Sequence, residues 1–147
     1  MKAKILKSKM FNFKVNNNTS PIVFVDDEED DLFIFKRAVK KSALNNPVIT
    51  FNVVDKFLEY INDVKSGFAV SPIIIFIDIN MPKYSGLEIL QKIRGHDEQI
   101  NKTKLIVLST SSFSKDKDKA YAYGCDGFIV KPDDPKILVD ILNQLVS

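Results

Sequence analysis

Acidic, hydroxyl and lysine side chains follow four short apolar stretches of the sequence. In chain order they are Asp26 and Asp27, Asp78, Ser109 and Thr110, and Lys131. Apolar runs of four or five residues without alternation are typical of strands that are buried on both faces of a parallel sheet. Ligand sites of such sheets form at the carboxyl ends of the strands, so we expect these side chains to share one site.

The residue types suit the transfer of a phosphoryl group to a carboxylate. Three clustered carboxylates (Asp26, Asp27 and Asp78) repel one another and favour a hard cation with oxygen ligands, such as Mg²⁺. The ion would screen charge while Asp78 attacks as a nucleophile and forms an aspartyl phosphate. The Ser109 hydroxyl and the Lys131 ammonium would stabilise the charge on the phosphoryl oxygens.

Each of these residues also has an ordinary structural interpretation. An acid at a strand end is often only a turn or helix-cap residue, and for Asp26 and Asp27 taken alone the two interpretations are about even. We interpret Asp30 and Asp31 as partners of a helix dipole in a first turn, not as site residues. A lysine at a strand edge is common. The predicted site therefore depends on the coincidence of all four strand ends.

The predicted elements alternate between strand and helix. Strands are expected at 22–25, 48–54, 73–77, 105–108 and 128–130. Apolar spacings of three and four predict helices over about 28–43, 57–67, 87–93, 115–123 and 135–145. Asp134 and Pro135 have the chemistry of an N-cap and a first helical position. The pattern predicts an α/β fold, a doubly wound five-stranded parallel sheet with helices on both faces.

Composition limits the class of protein. A chain of 147 residues with 45% hydrophobic and 27% charged residues suits one ordinary globular domain. The net charge of +2 indicates no direct nucleic-acid partner, and no apolar run approaches the ~20 residues of a membrane span. The single cysteine, Cys125, excludes an internal disulfide. From these features we expect a cytoplasmic protein.

Residues 1–20 are predicted to form a basic tail outside a domain that spans residues 21–147. The segment contains five lysines and no acid, and residues 16–21 have the composition of a loop. A flexible, solvated extension is favoured over a short amphipathic piece, because chain termini are commonly disordered.

Four motifs occur in a fixed order along the chain. They are Val23-Phe24-Val25-Asp26-Asp27, Ile75-Phe76-Ile77-Asp78-Ile79-Asn80-Met81-Pro82 with Gly86, Leu108-Ser109, and Gly127-Phe128-Ile129-Val130-Lys131-Pro132. Over about residues 21–146 the chain resembles the receiver domain of two-component response regulators, in particular single-domain receivers of the chemotaxis type. The resemblance implies a flavodoxin-like sheet with the strand order 2-1-3-4-5.

The resemblance also implies a role for individual residues. Asp78 would be the phosphorylation site. Asp27 would bind Mg²⁺ directly, Asp26 directly or through water, and Asn80 through its backbone carbonyl. Ser109 would be the switch hydroxyl, and Lys131 the lysine typical of the family. The peptide bond between Lys131 and Pro132 is often cis in the family, so a cis bond is expected here.

Two positions depart from the common pattern of the family. Phe128 stands where the rotating aromatic residue is often tyrosine, so it can change rotamer but cannot form a new hydrogen bond. Thr110 stands where alanine or glycine is common, and its larger side chain is expected to restrict phosphoryl access or to alter the lifetime of the acyl phosphate.

The preferred hypothesis is a signalling protein that is not an enzyme. At most, it would catalyse its own phosphorylation and dephosphorylation. It would accept the phosphoryl group from a histidine kinase or a phosphotransfer protein. It would then bind a downstream partner, relay the group, or form a homodimer through the fourth helix, fifth strand and fifth helix. We predict neither a nucleic-acid nor a membrane partner.

Two alternatives stay open. The first is an interaction module with a receiver fold and no phosphorylation cycle, which Thr110 and Phe128 favour modestly. The second is an aspartyl phosphohydrolase, although such enzymes usually place an acid two residues after the nucleophile, where this chain has Asn80.

Overall fold

The computed structural model describes residues 11–94, 98–110 and 114–146. Its five strands are Ile22–Val25 (β1), Val48–Phe51 (β2), Ile74–Asp78 (β3), Lys104–Ser109 (β4) and Gly127–Val130 (β5). Its helices of more than one turn are Glu29–Lys41 (α1), Val54–Lys65 (α2), Gly86–Ile93 (α3), Ser114–Ala122 (α4) and Pro135–Asn143 (α5). A short helical turn, Glu98–Asn101, precedes β4. None of the described helices combines the length and the apolar character needed to cross a bilayer.

The strands form one parallel sheet in the order β2-β1-β3-β4-β5, which confirms the predicted fold. β3 lies at the centre, where Ile77 pairs with Val25 of β1 and with Val107 of β4. Because these three residues are aligned side by side across the parallel strands, β1, β3 and β4 end at the same edge of the sheet.

Alternate residues of each strand enter two separate cores. Val23 and Val25 face the core beneath α2, α3 and α4, whereas Ile22 and Phe24 face the core beneath α1 and α5. In the second core the ring of Phe35 lies 4.4 Å from that of Phe24 and 4.9 Å from that of Phe76, measured between centroids. Burial on both faces explains why the strands lack polar alternation.

Side-chain caps fix the starts of two helices. The Asp134 side chain accepts a hydrogen bond of 2.9 Å from the Lys136 backbone N–H, and Pro135 begins α5, as predicted. The Ser85 hydroxyl accepts a bond of 3.2 Å from the Leu87 backbone N–H at the start of α3. Both caps satisfy a backbone donor that has no partner within the helix.

Residues 11–15 pack against the domain, which differs from the solvated tail expected from the sequence. The Phe11 side chain is buried, and a β-carbon on Gly127 would lie 3.3 Å from its ring. The Val15 N–H donates to the Leu145 carbonyl at 2.7 Å, and Lys14 Nζ donates to the Gln144 carbonyl at 2.6 Å. The burial of Phe11 and these two hydrogen bonds therefore hold residues 11–15 against the domain. Residues 1–10 of the predicted tail lie outside the described residues.

Candidate functional site

Three carboxylates converge where β1 and β3 end. Asp26 and Asp27 follow β1 directly, and Asp78 is the last residue of β3. One ligand oxygen from each lies within 4.8 Å of the others. Asp26 and Asp78 are buried, whereas Asp27 is exposed. The structure thus brings together the three predicted acids as a buried pair with a third carboxylate at the opening, an arrangement of oxygen atoms suited to a divalent cation.

The ammonium of Lys131 lies among the carboxylates. Its Nζ is 2.9 Å from Asp26 Oδ2, 2.8 Å from Asp31 Oδ2 and 3.2 Å from Asp78 Oδ2. The Lys131 backbone N–H donates to the Ser109 carbonyl at 2.7 Å, which continues the contact between β4 and β5 past the end of β5. This backbone bond sets the point from which the lysine side chain reaches the acids.

Asp31 is a fourth acid of the site, although the sequence suggested only a role in the helix dipole. It lies in the first turn of α1, and its side chain is 38% exposed. The signal was its spacing of four residues from Asp27, which places it in the first turn of the helix that follows. That spacing alone does not separate Asp31 from Asp30, because the rotation of α1 about its axis decides which of them meets Lys131.

The site carries more negative charge than positive charge. Burial raises the pKa of Asp26 to about 7, the Asp78 carboxylate adds to this rise, and the Glu28 backbone N–H and Lys131 oppose it. Burial alone would lower the pKa of Lys131, but its hydrogen bonds to Asp31 and Asp26 raise that pKa above its ordinary value. The lysine therefore remains charged and compensates only part of the surrounding negative charge.

Asn80 connects the loop after β3 with the end of β4. Its backbone N–H donates to Asp78 Oδ1 at 2.9 Å. Its side-chain Oδ1 accepts two hydrogen bonds from Thr110, one from the backbone N–H at 2.9 Å and one from the hydroxyl at 3.1 Å. We call this pair the Asn80–Thr110 bridge. The sequence predicted an effect of the larger Thr110 side chain, but not this contact.

The two predicted switch residues occupy different environments. Ser109 is fully buried at the end of β4, one residue after Leu108, which pairs with Asp78. Phe128 of β5 is half-buried and packs against the core that contains Val107. The structure thus places Ser109 beside the acidic site, and Phe128 on the face of the sheet covered by α2, α3 and α4.

Gly86 completes the motif that begins at Asp78. A β-carbon at this position would lie 2.6 Å from the Asp78 carbonyl oxygen and 2.6 Å from Ile79 Cα. Only glycine allows the first turn of α3 to approach the backbone of the site so closely.

The peptide bond between Lys131 and Pro132 is trans, so the expectation of a cis bond is wrong. Among the residues that the structure describes there is no cis peptide. Trans is the more stable form of an X–Pro bond by about 0.5–1 kcal/mol. Lys131 reaches its three carboxylate partners from this trans backbone.

A family model described as the response regulator receiver domain matches residues 22–143. The chain belongs to this family. Its membership identifies the domain as the receiver of a response regulator in two-component signalling. The match covers every strand and every helix described above.

The receiver domain is 29% identical over 132 residues to the nitrate/nitrite response regulator protein NarL of Escherichia coli K12, which covers 90% of this chain and 57% of NarL. Among solved structures, response regulator RPA3017 in red light signaling of R. palustris superposes with a TM-score of 0.74 at 25% identity, over 86% of this chain and 90% of that one. The phosphorylated cyanobacterial phytochrome response regulator RcpA gives a TM-score of 0.73 at 25% identity, over 85% and 89%. The chain spans from a third to little more than half of the length of the curated relatives that match it first.

Proposed function

We propose that this receiver domain accepts a phosphoryl group on Asp78 from a histidine kinase or a histidine phosphotransfer protein, with Mg²⁺ as the cofactor. The observation that carries the proposal is the environment of the Asp78 carboxylate. It is buried, it stands beside two further acids that complete a cation site, and an ammonium lies 3.2 Å from its Oδ2. That RcpA is known in a phosphorylated form supports the same chemistry here.

The donor set fits a hard divalent cation. Asp26, Asp27 and Asp78 supply carboxylate oxygens within 4.8 Å of one another, and the negative charge of the site exceeds the positive charge. These residues, with the backbone carbonyl of Asn80, would hold Mg²⁺. When bound, the ion lowers the repulsion between an anionic phosphoryl group and the attacking carboxylate.

Two contacts orient the Asp78 carboxylate for attack. Oδ1 accepts the Asn80 N–H at 2.9 Å, and Oδ2 accepts from Lys131 Nζ at 3.2 Å. Because both oxygens are held by hydrogen bonds, the carboxylate is already ordered before a phosphodonor binds. This order reduces the entropic cost of the reaction. After transfer, the Lys131 ammonium pairs with one phosphoryl oxygen, and the buried Ser109 hydroxyl donates to another.

We propose that the output surface is formed by α4, β5 and α5. Inward movement of Thr110 towards the phosphoryl group would let Phe128 change rotamer. Tyr121 and Val130 on this surface are 45% and 43% exposed, so apolar area is available for a partner protein or for a second copy of the chain.

Incubation with Mg²⁺ and acetyl phosphate, followed by intact-mass measurement, tests the proposed site. We expect one phosphoryl adduct on the wild-type protein and none on Asp78→Asn. Asp118→Asn, which removes an exposed acid of α4, is the matched control and should be modified like the wild type. Absence of the adduct, or its survival in Asp78→Asn, would show that the proposed site is wrong.

A second candidate function is an interaction module without a phosphorylation cycle. The Asn80–Thr110 bridge favours it, because the bridge joins two loops beside Asp78. Titration with Mg²⁺ followed by NMR separates the two functions. Shifts of the Asp27 and Asp78 amides support the phosphoacceptor, whereas unchanged amides support the module.

A further inference from the structure

The contact between Asp31 and Lys131 joins α1 to the acidic site. The distance of 2.8 Å from Lys131 Nζ to Asp31 Oδ2 is the shortest of the three contacts that the ammonium makes with acids. An ammonium has three N–H donors, so Asp26, Asp31 and Asp78 can occupy all of them.

We propose that Asp31 is a positioning residue that acts through Lys131. It holds the ammonium towards α1 in the unphosphorylated protein, and it competes with a phosphoryl group on Asp78 for the same N–H donors. This inference rests on the proposed function, because it assigns to Asp31 a control over how strongly the Asp78 site retains a phosphoryl group.

The three acids differ in how readily they can release the ammonium. Asp26 is fully buried, and the Asp78 side chain is 3% exposed, so an ammonium that left either would leave a carboxylate without water. The Asp31 side chain is 38% exposed, and water can replace the lysine there at low cost. Lys131 therefore loses its contact with Asp31 when it binds the oxygens of a phosphoryl group on Asp78. The stronger the contact with Asp31, the less favourable this replacement is.

Substitutions in the first turn of α1 separate this role from general electrostatics. Asp31→Asn removes the charge that faces Lys131. Asp30→Asn removes an equal charge from the neighbouring, exposed position of the same turn, so it also reproduces the loss of a favourable helix-dipole partner. Asp31→Glu keeps the charge and should behave like the wild type.

The measurement is the affinity of the protein for beryllium trifluoride, an analogue of a phosphoryl group on a carboxylate, in the presence of Mg²⁺. We expect Asp31→Asn to bind it about fivefold more tightly than the wild type, the upper end for a partly exposed ion pair. Asp30→Asn should bind like the wild type. In a Lys131→Met background, Asp31→Asn should bring no gain, because the residue through which it acts is gone.

Two results would overturn the proposal. One is an equal affinity of Asp31→Asn and Asp30→Asn. The other is a gain that persists in the Lys131→Met background, which would make Asp31 a source of general repulsion. The ¹⁵N shift of the Lys131 ammonium, recorded without any ligand, should move in Asp31→Asn and stay in place in Asp30→Asn.

Failure of the proposed function gives a different pattern. A wild-type protein that binds no beryllium trifluoride and forms no adduct with acetyl phosphate refutes phosphorylation of Asp78. The ammonium signal then still decides whether Asp31 holds Lys131. An unchanged signal in Asp31→Asn refutes the positioning role as well.

Discussion

Gly86 lies so close to Asp78 that an added β-carbon would stand 2.6 Å from the Asp78 carbonyl oxygen. We therefore expect Gly86→Ala to lower the free energy of unfolding by about 2–3 kcal/mol, the cost of overpacking a site where backbone atoms cannot move aside. Urea denaturation measures this change.

Gly67→Ala is the comparison for Gly86→Ala. Its added β-carbon meets nothing within 4 Å, but the backbone φ of +81° is unfavourable for alanine. Its cost should be limited to about 1 kcal/mol of backbone strain. A Gly86→Ala protein as stable as the wild type would contradict the assigned role of this glycine.

The raised pKa of Asp26 predicts how stability depends on pH when no metal is bound. The pKa is about 7 in the folded protein and near 3.8 when unperturbed, so the folded state binds more protons between about pH 4 and 7. The contribution of Asp26 to stability is therefore present below about pH 4 and is lost as the pH rises through 7, by at most about 1.4 kcal/mol per pH unit. Urea denaturation in chelator, from pH 4.5 to 8, measures it.

Asp26→Asn provides the reference for this pH dependence, because asparagine does not titrate. The free energy of unfolding of the wild type, relative to that of Asp26→Asn, should decline across the window and become constant above it. If the two proteins change in parallel at every pH, Asp26 does not titrate as described.

The Asn80–Thr110 bridge is expected to slow the access of a phosphodonor to Asp78. Thr110→Val keeps the shape of the side chain but removes the hydroxyl that donates to Asn80 at 3.1 Å. Loss of one exposed hydrogen bond, worth about 0.5–1 kcal/mol, should speed adduct formation from acetyl phosphate by about threefold. Thr110→Ser keeps the donor and should react like the wild type. Acceleration by Thr110→Ser but not by Thr110→Val would point to side-chain bulk instead of the bridge, because only serine is smaller than threonine.

The sheet and its acidic edge were predictable because their signals are local. Apolar runs mark β1 and β3, and Asp26 and Asp78 follow directly from where those runs end. Boundaries were less certain. The predicted second strand extended to residue 54, but β2 ends at Phe51 because Val54, which is buried, already begins α2.

The contacts that the sequence did not reveal are long-range. Asp31 and Lys131 are 100 residues apart, and Thr110 and Asn80 are 30 apart, so neither pair leaves a local pattern. The first depends on the rotation of α1, and the second on the conformation of two loops. The burial of Phe11 was not predicted for a related reason, since it depends on the space above Gly127.

Replacement of Lys131 should strengthen the binding of Mg²⁺. The ammonium contacts Asp26 and Asp78, two of the expected ligands, and it repels a cation bound to them. Lys131→Met should raise the Mg²⁺ affinity about tenfold, since a unit charge and a divalent ion at such close range repel by about 1–2 kcal/mol even with aqueous screening.

Calorimetry at pH 9, above the pKa of Asp26, measures this Mg²⁺ affinity without competition from protons. Lys136→Met removes an exposed lysine of α5 and should leave the affinity unchanged. Weaker binding by Lys131→Met would mean that the lysine helps to organise the cation site.

Phe11 is expected to make the segment before β1 a stabilising part of the domain. Its side chain is 4% exposed, and its ring covers Gly127 and contacts the core that contains Ile106. Phe11→Ala should therefore lower the free energy of unfolding by about 3 kcal/mol, a cost typical of truncating a buried phenylalanine. Phe68→Ala, at a position that is 85% exposed, should change it by less than about 0.5 kcal/mol. If the two variants are equally stable, the segment rests on the domain without stabilising it, and the solvated tail is the better description.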